Sequence, residues 1–295
     1  LTTLRPSSKV NRRRSWRCGK KLHLQKDQTR FIGVDLGGGK GKKTALAILE
    51  RTKTGVTVTA LRPRSGEAPL YDKALCDLIR AHAQGSVLCV DAPLTLPPCI
   101  RCPLPVCPGQ TACADPEVAL MHQLFDAPTI EPDRDFRRGK PGITPYTQRA
   151  TDIYLFRRRA ILPRETLGQG MGPITARAVH LARTVADLFA LNRNLIEVYP
   201  RATLQLLGFQ SPYRKRVDQR IDILASLRDL SFGPGIWREE CRQSDHAFDA
   251  IVCAYTGYLR CRDGWEMLRG LPSPQIGWVW VPPEVAEKQK EAAAD

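Results

Sequence analysis

No run of apolar residues in this chain is long enough to span a membrane, and the basic leading segment lacks the apolar stretch of a secretory signal. No internal repeat is present, so repeat architectures are set aside. Acidic residues are scarce beside basic ones: 30 Asp and Glu stand against 45 Lys and Arg, a formal net charge of +15. Ten cysteines are many, but they lack the spread of a disulfide framework. Four of them crowd into Cys99 to Cys113, which reads as metal ligation in a reducing compartment, so a cytoplasmic location is expected. Cys18 falls in the leading segment, and Cys76, Cys89, Cys241, Cys253 and Cys261 fit apolar packing or helix positions.

The charge is unevenly placed. Leu1 to Arg30 carries ten Lys or Arg and one Asp, so more than half of the excess lies in this polar arm, residues 1–29 of the domain plan. It has no apolar periodicity and is expected to be disordered. A nucleic-acid-binding arm, a transit peptide, and a solubilising or artefactual extension all remain open readings for it. The expected folded domain covers 30–284, and a polar tail, 285–295, follows.

The domain opens with Phe31-Ile32-Gly33-Val34-Asp35-Leu36-Gly37-Gly38-Gly39-Lys40-Gly41-Lys42-Lys43, then Thr44 to Leu49. This predicts strand, glycine-rich turn, strand. A carboxylate at a strand end beside a flexible cationic loop suits a metal ion and a phosphate, with Gly37, Gly38, Lys40, Lys42 and Lys43 as the phosphate contacts. The same residues also suit a plain hairpin tip. Val56 to Leu61 alternates as a third strand. Leu70 to Ala83 has helical spacing, and Val87 to Val90 is a wholly apolar, buried strand ending on Asp91. Ile174 to Phe189 forms a helix behind a Gly172 cap, and Leu195 to Tyr199 a fifth strand. Helices follow over Ala202 to Leu207 and from Val217 to Leu227, and a last strong one over Asp245 to Leu259. Trp278 to Val281 is expected as a peripheral strand. Pro97 to Arg149 breaks the periodicity, and a structureless segment of that size calls for a staple.

Three antiparallel strands, then helix, strand, helix, strand and terminal helix, is the element order of the ribonuclease H fold. The expected architecture is therefore α/β: a mixed five-stranded sheet with helices on both faces, plus a cysteine-rich metal-binding insertion over about 97–149. In such a sheet the first and fourth strands are neighbours, and the terminal helix starts near their ends. Asp35, Asp91 and the group Asp245, His246 and Asp249 would then converge. On a helix Asp245 and Asp249 lie about 40° apart, with His246 turned about 60° beyond Asp249. Converging carboxylates need cations, and hard oxygen ligands suit Mg²⁺ or Mn²⁺. Two such ions would activate water and stabilise a leaving oxygen in phosphodiester hydrolysis. Each acid also has a plain reading as turn residue, N-cap or arginine partner. Glu197, inside an apolar strand, is either a further site acid or paired with an arginine such as Arg201.

Gly33-Val34-Asp35, Val90-Asp91-Ala92-Pro93-Leu94, Arg149-x-x-Asp152, Ile196-Glu197-Val198-Tyr199-Pro200 and His246-Ala247-Phe248-Asp249-Ala250 together resemble the family of domain of unknown function 429, whose members are described as predicted nucleases of the ribonuclease H fold. The resemblance implies a nuclease site on those acids and adds Arg149 to the phosphate-binding set. The last motif is also similar to the RuvC-type Holliday junction resolvases, which maps His246 and Asp249 onto metal-site positions. Those enzymes work as dimers, so a homodimer acting on DNA or RNA is the implied assembly.

Cys99-x2-Cys102-x4-Cys107-x5-Cys113 places four thiols within fifteen positions, a match to Zn²⁺ or an iron–sulfur cluster. Its role would be structural, with Arg134, Arg137, Arg138 and Lys140 beyond it as a backbone grip or a solvated loop. Three functions compete: a divalent-metal-dependent nuclease, a phosphotransferase or ATPase of the actin and sugar-kinase type, and a non-catalytic nucleic-acid-binding protein. The second requires a partner glycine-rich loop that the chain lacks.

Overall fold

The computed structural model describes residues 28–283 apart from 39–42, 129–141, 210–211, 236, 269–270, 272 and 274–275. Nearly all of the basic arm, Lys40, Lys42, Arg134, Arg137, Arg138, Lys140 and the polar tail thus lie outside the described residues.

Strands β1 (Arg30–Asp35), β2 (Ala45–Arg51) and β3 (Val56–Arg62) form the expected antiparallel meander. Helix α1 (Asp72–Ala81) leads to β4 (Ser86–Asp91), which runs parallel to β1. Helices α2 (Pro116–Asp126), α3 (Ala150–Arg159) and α4 (Met171–Thr184) precede β5 (Leu195–Val198), parallel to β4. Then come α5 (Pro200–Leu206), α6 (Val217–Ser226), β6 (Leu230–Phe232), α7 (Trp237–Gln243), α8 (Asp245–Asp263) and β7 (Val279–Trp280).

The main sheet has seven strands in the order β6-β3-β2-β1-β4-β5-β7, not the five expected. Both additions are parallel edge strands, β6 on β3 and β7 on β5. The Trp278 to Val281 expectation corresponds to β7. Strand β6 has three residues, too few for alternation to show, and it is recruited by tertiary contacts: Val56 N–H donates to the Asp229 carbonyl, and Thr57 and Ser231 hydroxyls meet at 2.6 Å. Of the seven strands only β2 runs against the rest. No helix of the described residues is long and apolar enough to cross a membrane.

Alternation along the strands sorts side chains between two cores. Phe31, Val87, Cys89, Ile196 and Val198 pack with α8, α5 and α6. Ile32, Val34, Leu88, Val90 and Leu195 pack on the other face with α1 and α4. Helix α8 is buried almost all round from Ala247 to Cys261, because the sheet covers one side and α5, α6 and α7 the other. Its start is set by Ser244, whose side chain accepts from the Ala247 amide, and its end by Gly264 in the left-handed region.

Gly33 sets how closely α8 approaches β1. A Cβ built there would sit 2.0 Å from the Ala250 carbonyl oxygen and 2.5 Å from the Ala254 nitrogen. Both are backbone atoms, so only glycine permits the contact.

The insertion is not the structureless loop its composition suggests. Helix α2 packs on α3 through a separate apolar cluster that includes Val118, Met121, Leu124, Ile143 and Ile153. Asp115 caps α2 and Pro116 takes its first turn, a start signal that was present in the sequence. Buried Glu117 pairs with Arg101 and accepts from the Ala150 amide at 3.1 Å, which ties the insertion to α3. Helix α4 starts at Met171 behind Gly170 in the left-handed region, rather than behind Gly172.

Substitution Gly33→Ala is expected to lower unfolding stability by about 1–3 kcal/mol, the scale of overpacking. Urea denaturation checks this, and an unchanged midpoint would refute the close-contact account.

Candidate active site

The strand register places the first two acids side by side. Asp35 and Asp91 are direct partners at the C-terminal ends of the adjacent parallel strands β1 and β4. Neighbouring strands lie about 4.8 Å apart. Asp35 shares the parity of Phe31 and Gly33, and Asp91 that of Val87 and Cys89, so both belong to the α8 face. Helix α8 supplies His246 and Asp249 in its first turns. His246 Nδ1 lies 2.5 Å from Asp35 Oδ2, which joins the helix start to the strand end.

The site's electrostatics follow from burial and like charge. Burial raises Asp35 above the ordinary carboxylate range, against the His246 hydrogen bond that lowers it. Asp91 is driven well above that range by burial and then by the charges of Asp35 and Asp249. Asp249, 1% exposed, rises to about 7 through burial and the Asp35 charge. His246 is raised by its hydrogen bond to Asp35. Asp245 is half-exposed and stands 3.8 Å from His246 Nε2, at the outer edge of the group.

Two residues of the site escaped sequence reasoning. Tyr213 Oη donates to Asp249 Oδ1 at 2.9 Å, and Arg214 Nη2 to Asp249 Oδ2 at 3.0 Å. They lie in the loop before α6, with no periodicity or motif to mark them. Their only signal was a Tyr-Arg-Lys run in a polar connection. Among the described residues, Asp91 takes no side-chain hydrogen bond or ion pair, which leaves its carboxylate available.

Glu197 and Arg149 stand on the other face of the sheet from this cluster, close enough for the Glu197 charge to add to the rise of Asp91. Glu197 has the parity of Leu195, so it faces away from α8. Its partner is Arg149 rather than Arg201: Arg149 Nη1 and Nη2 reach the two Glu197 oxygens at 2.7 and 2.6 Å. Thr166, Asp152 and Thr95 accept the remaining Arg149 donors, and the Leu94 amide also donates to Glu197. Arg149 is 1% exposed. A buried guanidinium with all its donors taken cannot grip a phosphate, so Arg149 is a structural anchor. Asp152 completes it by accepting from the Arg149 backbone amide at 2.9 Å.

The glycine-rich turn is likewise partly committed. Gly37 is buried, its amide donates to Thr44 Oγ1, and its carbonyl accepts from Arg177 Nη1. The expected amide-to-phosphate contact at Gly37 is therefore not available. Arg177, from α4, also bonds Thr44 and Asp72 and so fixes the turn against α1. Gly38 and Lys43 are exposed.

Cys99 senses the charge of the other three insertion thiols. Burial and then the Cys107, Cys113 and Cys102 sulfurs raise Cys99. The Gly109 amide donates to Cys107 Sγ at 3.4 Å, a turn that its φ of 86° allows. Such a donor favours a thiolate. Yet no group of three His, Cys, Asp or Glu side chains among the described residues is arranged to hold a metal, here or at the acid cluster.

A cavity of about 150 Å³ opens beside Asp91. A larger one, about 340 Å³, lies at the opposite strand end against Val87 and Cys261, and its Asp187 is paired with Arg80. Only the smaller cavity adjoins the acids.

The family model described as Protein of unknown function (DUF429) matches residues 33–268. The chain belongs to this family. No curated protein and no solved structure matches it. The DUF429 match takes in Asp35, Asp91, Asp249, the Arg149–Glu197 pair and the cysteine insertion; it leaves out the basic arm and β7.

The raised pKa values set the sign of a pH effect. Folded Asp249 keeps a proton up to about pH 7, whereas the unfolded carboxyl loses it near 3.8, so stability falls as pH rises between those values. His246 acts in the same direction, since its stabilising charge is lost as pH climbs through its raised value. In EDTA, the protein should therefore be less stable at pH 8 than at pH 5, by about 2–4 kcal/mol. Asp249→Asn should flatten part of that slope in urea melts, the rest coming from Asp35, Asp91 and His246; an unaltered slope would contradict the assignment.

Proposed function

We propose that this DUF429 chain is a divalent-metal-dependent nuclease that hydrolyses phosphodiester bonds in DNA or RNA on a ribonuclease H-like scaffold. The observation that carries the reading is the meeting of Asp35, Asp91 and Asp249 at one sheet end, each raised by burial and Asp91 and Asp249 also by neighbouring acid charge. The strand order β3-β2-β1-β4-β5, with β2 alone reversed, supports the scaffold assignment.

The donor type, hard carboxylate oxygens in mutual repulsion and one of them without a protein partner, suits Mg²⁺ or Mn²⁺, and the ion would draw the three acids into a ligand set that the protein alone does not form. Asp35, Asp91 and Asp249 would hold the ion, Asp249 by exchanging Arg214 for it. A bound divalent cation supplies charge neutralisation, an activated water and stabilisation of the leaving oxygen. Asp35 orients the His246 ring through Nδ1, which leaves Nε2 to exchange a proton beside the cluster. Asp245 keeps local negative charge near that nitrogen. Exposed Lys43 brings positive charge toward a nucleic-acid backbone. Glu197 and Arg149 hold β5 and α3 in place and take no part in the chemistry.

The kinase or ATPase alternative draws no support from the turn, because the Gly37 amide is engaged by Thr44. At the insertion, Cys99, Cys102, Cys107 and Cys113 suit Zn²⁺ or an iron–sulfur cluster, with Gly109 supporting one thiolate.

The test is cleavage of a labelled DNA and RNA panel by the full chain with Mn²⁺. Asp35→Asn and Asp249→Asn should each lower the rate more than about a hundredfold, beyond the 10–100-fold typical of outer-shell partners. Equal cutting by the Asp35→Asn protein would sink the reading. A separate measurement addresses the thiols: purified chain should carry zinc or absorb near about 400 nm as an iron–sulfur protein. Cys102→Ser plus Cys107→Ser should abolish that content, and metal retained by this variant would refute the ligand set.

A further inference from the structure

The cavity beside Asp91 has a polarity and a shape that the acid cluster alone does not explain. Buried groups form part of its lining: the saturated Arg149–Glu197 pair, Asp152, and the side chains of Leu155, Val198 and Val279. Asp91 also lines the cavity, an acid without a side-chain partner among the described residues, so a cation or a proton on Asp91 accompanies any bound anion. The cavity rim carries Arg164, Arg201 and Arg214, with half-buried Tyr199 between. Arg164 and Arg201 are exposed and make no hydrogen bond or ion pair among the described residues. Arg214 is the guanidinium that holds Asp249. All three act on one place: burial and the Asp91 charge raise the Tyr199 phenol, and Arg201, Arg214 and Arg164 each oppose that rise.

Three guanidiniums around one cavity, two of them unpaired among the described residues, select an anion, and their planar forks suit phosphate oxygens. A phosphomonoester carries about −1.5 to −2 charge, more than the single charge of an internal diester. At about 150 Å³ the cavity falls below the roughly 300–1,000 Å³ of drug-sized sites, so it admits a phosphate with part of its sugar. A cavity this small takes the end of a strand rather than a strand running through it.

We infer that this cavity is the receptor for a terminal phosphomonoester of a nucleic-acid strand, with Arg164, Arg201 and Arg214 as its phosphate ligands and Tyr199 against the adjoining sugar or base. The inference rests on the nuclease reading of the neighbouring acids and names its substrate: strands with phosphorylated ends, trimmed from that end. In the cleavage, a water oxygen forms the new bond to phosphorus while the bond from phosphorus to the leaving sugar oxygen breaks. The proton released by the water balances the one the leaving oxygen gains, so no further reactant is required.

Two measurements on the full chain test it. With Mn²⁺, a single-stranded oligonucleotide phosphorylated at the 5′ or the 3′ end should be shortened at least tenfold faster than its hydroxyl-ended form, and a circle of the same sequence should resist. Equal rates for phosphorylated, hydroxyl-ended and circular strands would overturn the inference and leave the nuclease reading intact. In EDTA, where nothing is cut, millimolar inorganic phosphate and a phosphorylated oligonucleotide should raise the melting temperature of wild type and of Asp35→Asn. Neither should raise that of the Arg164→Gln plus Arg201→Gln protein, whose fold is checked by circular dichroism. Protection that survives in this double variant would overturn the site. Protection by a nucleoside monophosphate but not by the phosphorylated oligonucleotide would assign the cavity to free nucleotides and overturn the strand-end assignment. Protection lost in the double variant, with no cutting of any strand by wild type, would uphold the phosphate receptor and reject the nuclease.

Discussion

The contact on which the site depends is the backbone-to-backbone approach of α8 to β1 at Gly33. With a hydrogen in place of a side chain, the helix lies on the strand at Ala250 and Ala254. Asp249, just before Ala250, and His246, one turn earlier, then reach the end of β1. Ser244 fixes the rotational start of the helix, and the parallel register of β1 with β4 fixes the height of Asp35 and Asp91. Three independent constraints thus force like charges together. The cost of that crowding is visible in the raised pKa values, and it is the kind of cost that cations or protons relieve.

Around the cluster the protein uses cations in two distinct ways. Arg149 and Arg177 are buried and structural; Arg149 ties the insertion to the sheet, and Arg177 fixes the glycine-rich turn against α1. Arg164, Arg201 and Arg214 stand at a cavity rim, exposed in whole or part. Residue type does not separate the two groups, since each is an arginine close to an acid. Burial and the number of donors already taken do separate them. Arg214 stands between the groups: it neutralises Asp249 and also lines the cavity.

Much of the framework was legible in the residue pattern because it is local. The meander, α1, β4, β5 and α8 follow from alternation, helical spacing and caps, and the convergence of Asp35, Asp91 and the start of α8 follows from their order. What went astray was non-local. Strands β6 and β7 are too short to carry a period and exist through their neighbours. Helix α2 has a legible Asp115-Pro116 start, but its apolar residues pack on α3 in a cluster separate from those of the sheet. Tyr213 and Arg214 sit in a connection where only three-dimensional proximity to Asp249 gives them meaning.

Glu197 and Arg149 mark the boundary between the two kinds of information. Their presence in matching motifs was evident from the chain alone, as were the α/β class, the run of strands and helices, the acids at their ends and the four clustered thiols. These are consequences of period, propensity and charge along a single dimension. Which acids face one another was decided by the tertiary structure. Strand parity sends Asp35 and Asp91 to the α8 face and Glu197 to the opposite one, where a bidentate arginine compensates it. A one-residue difference in register reverses the face of a strand side chain, and register is set by pairing between strands distant in sequence.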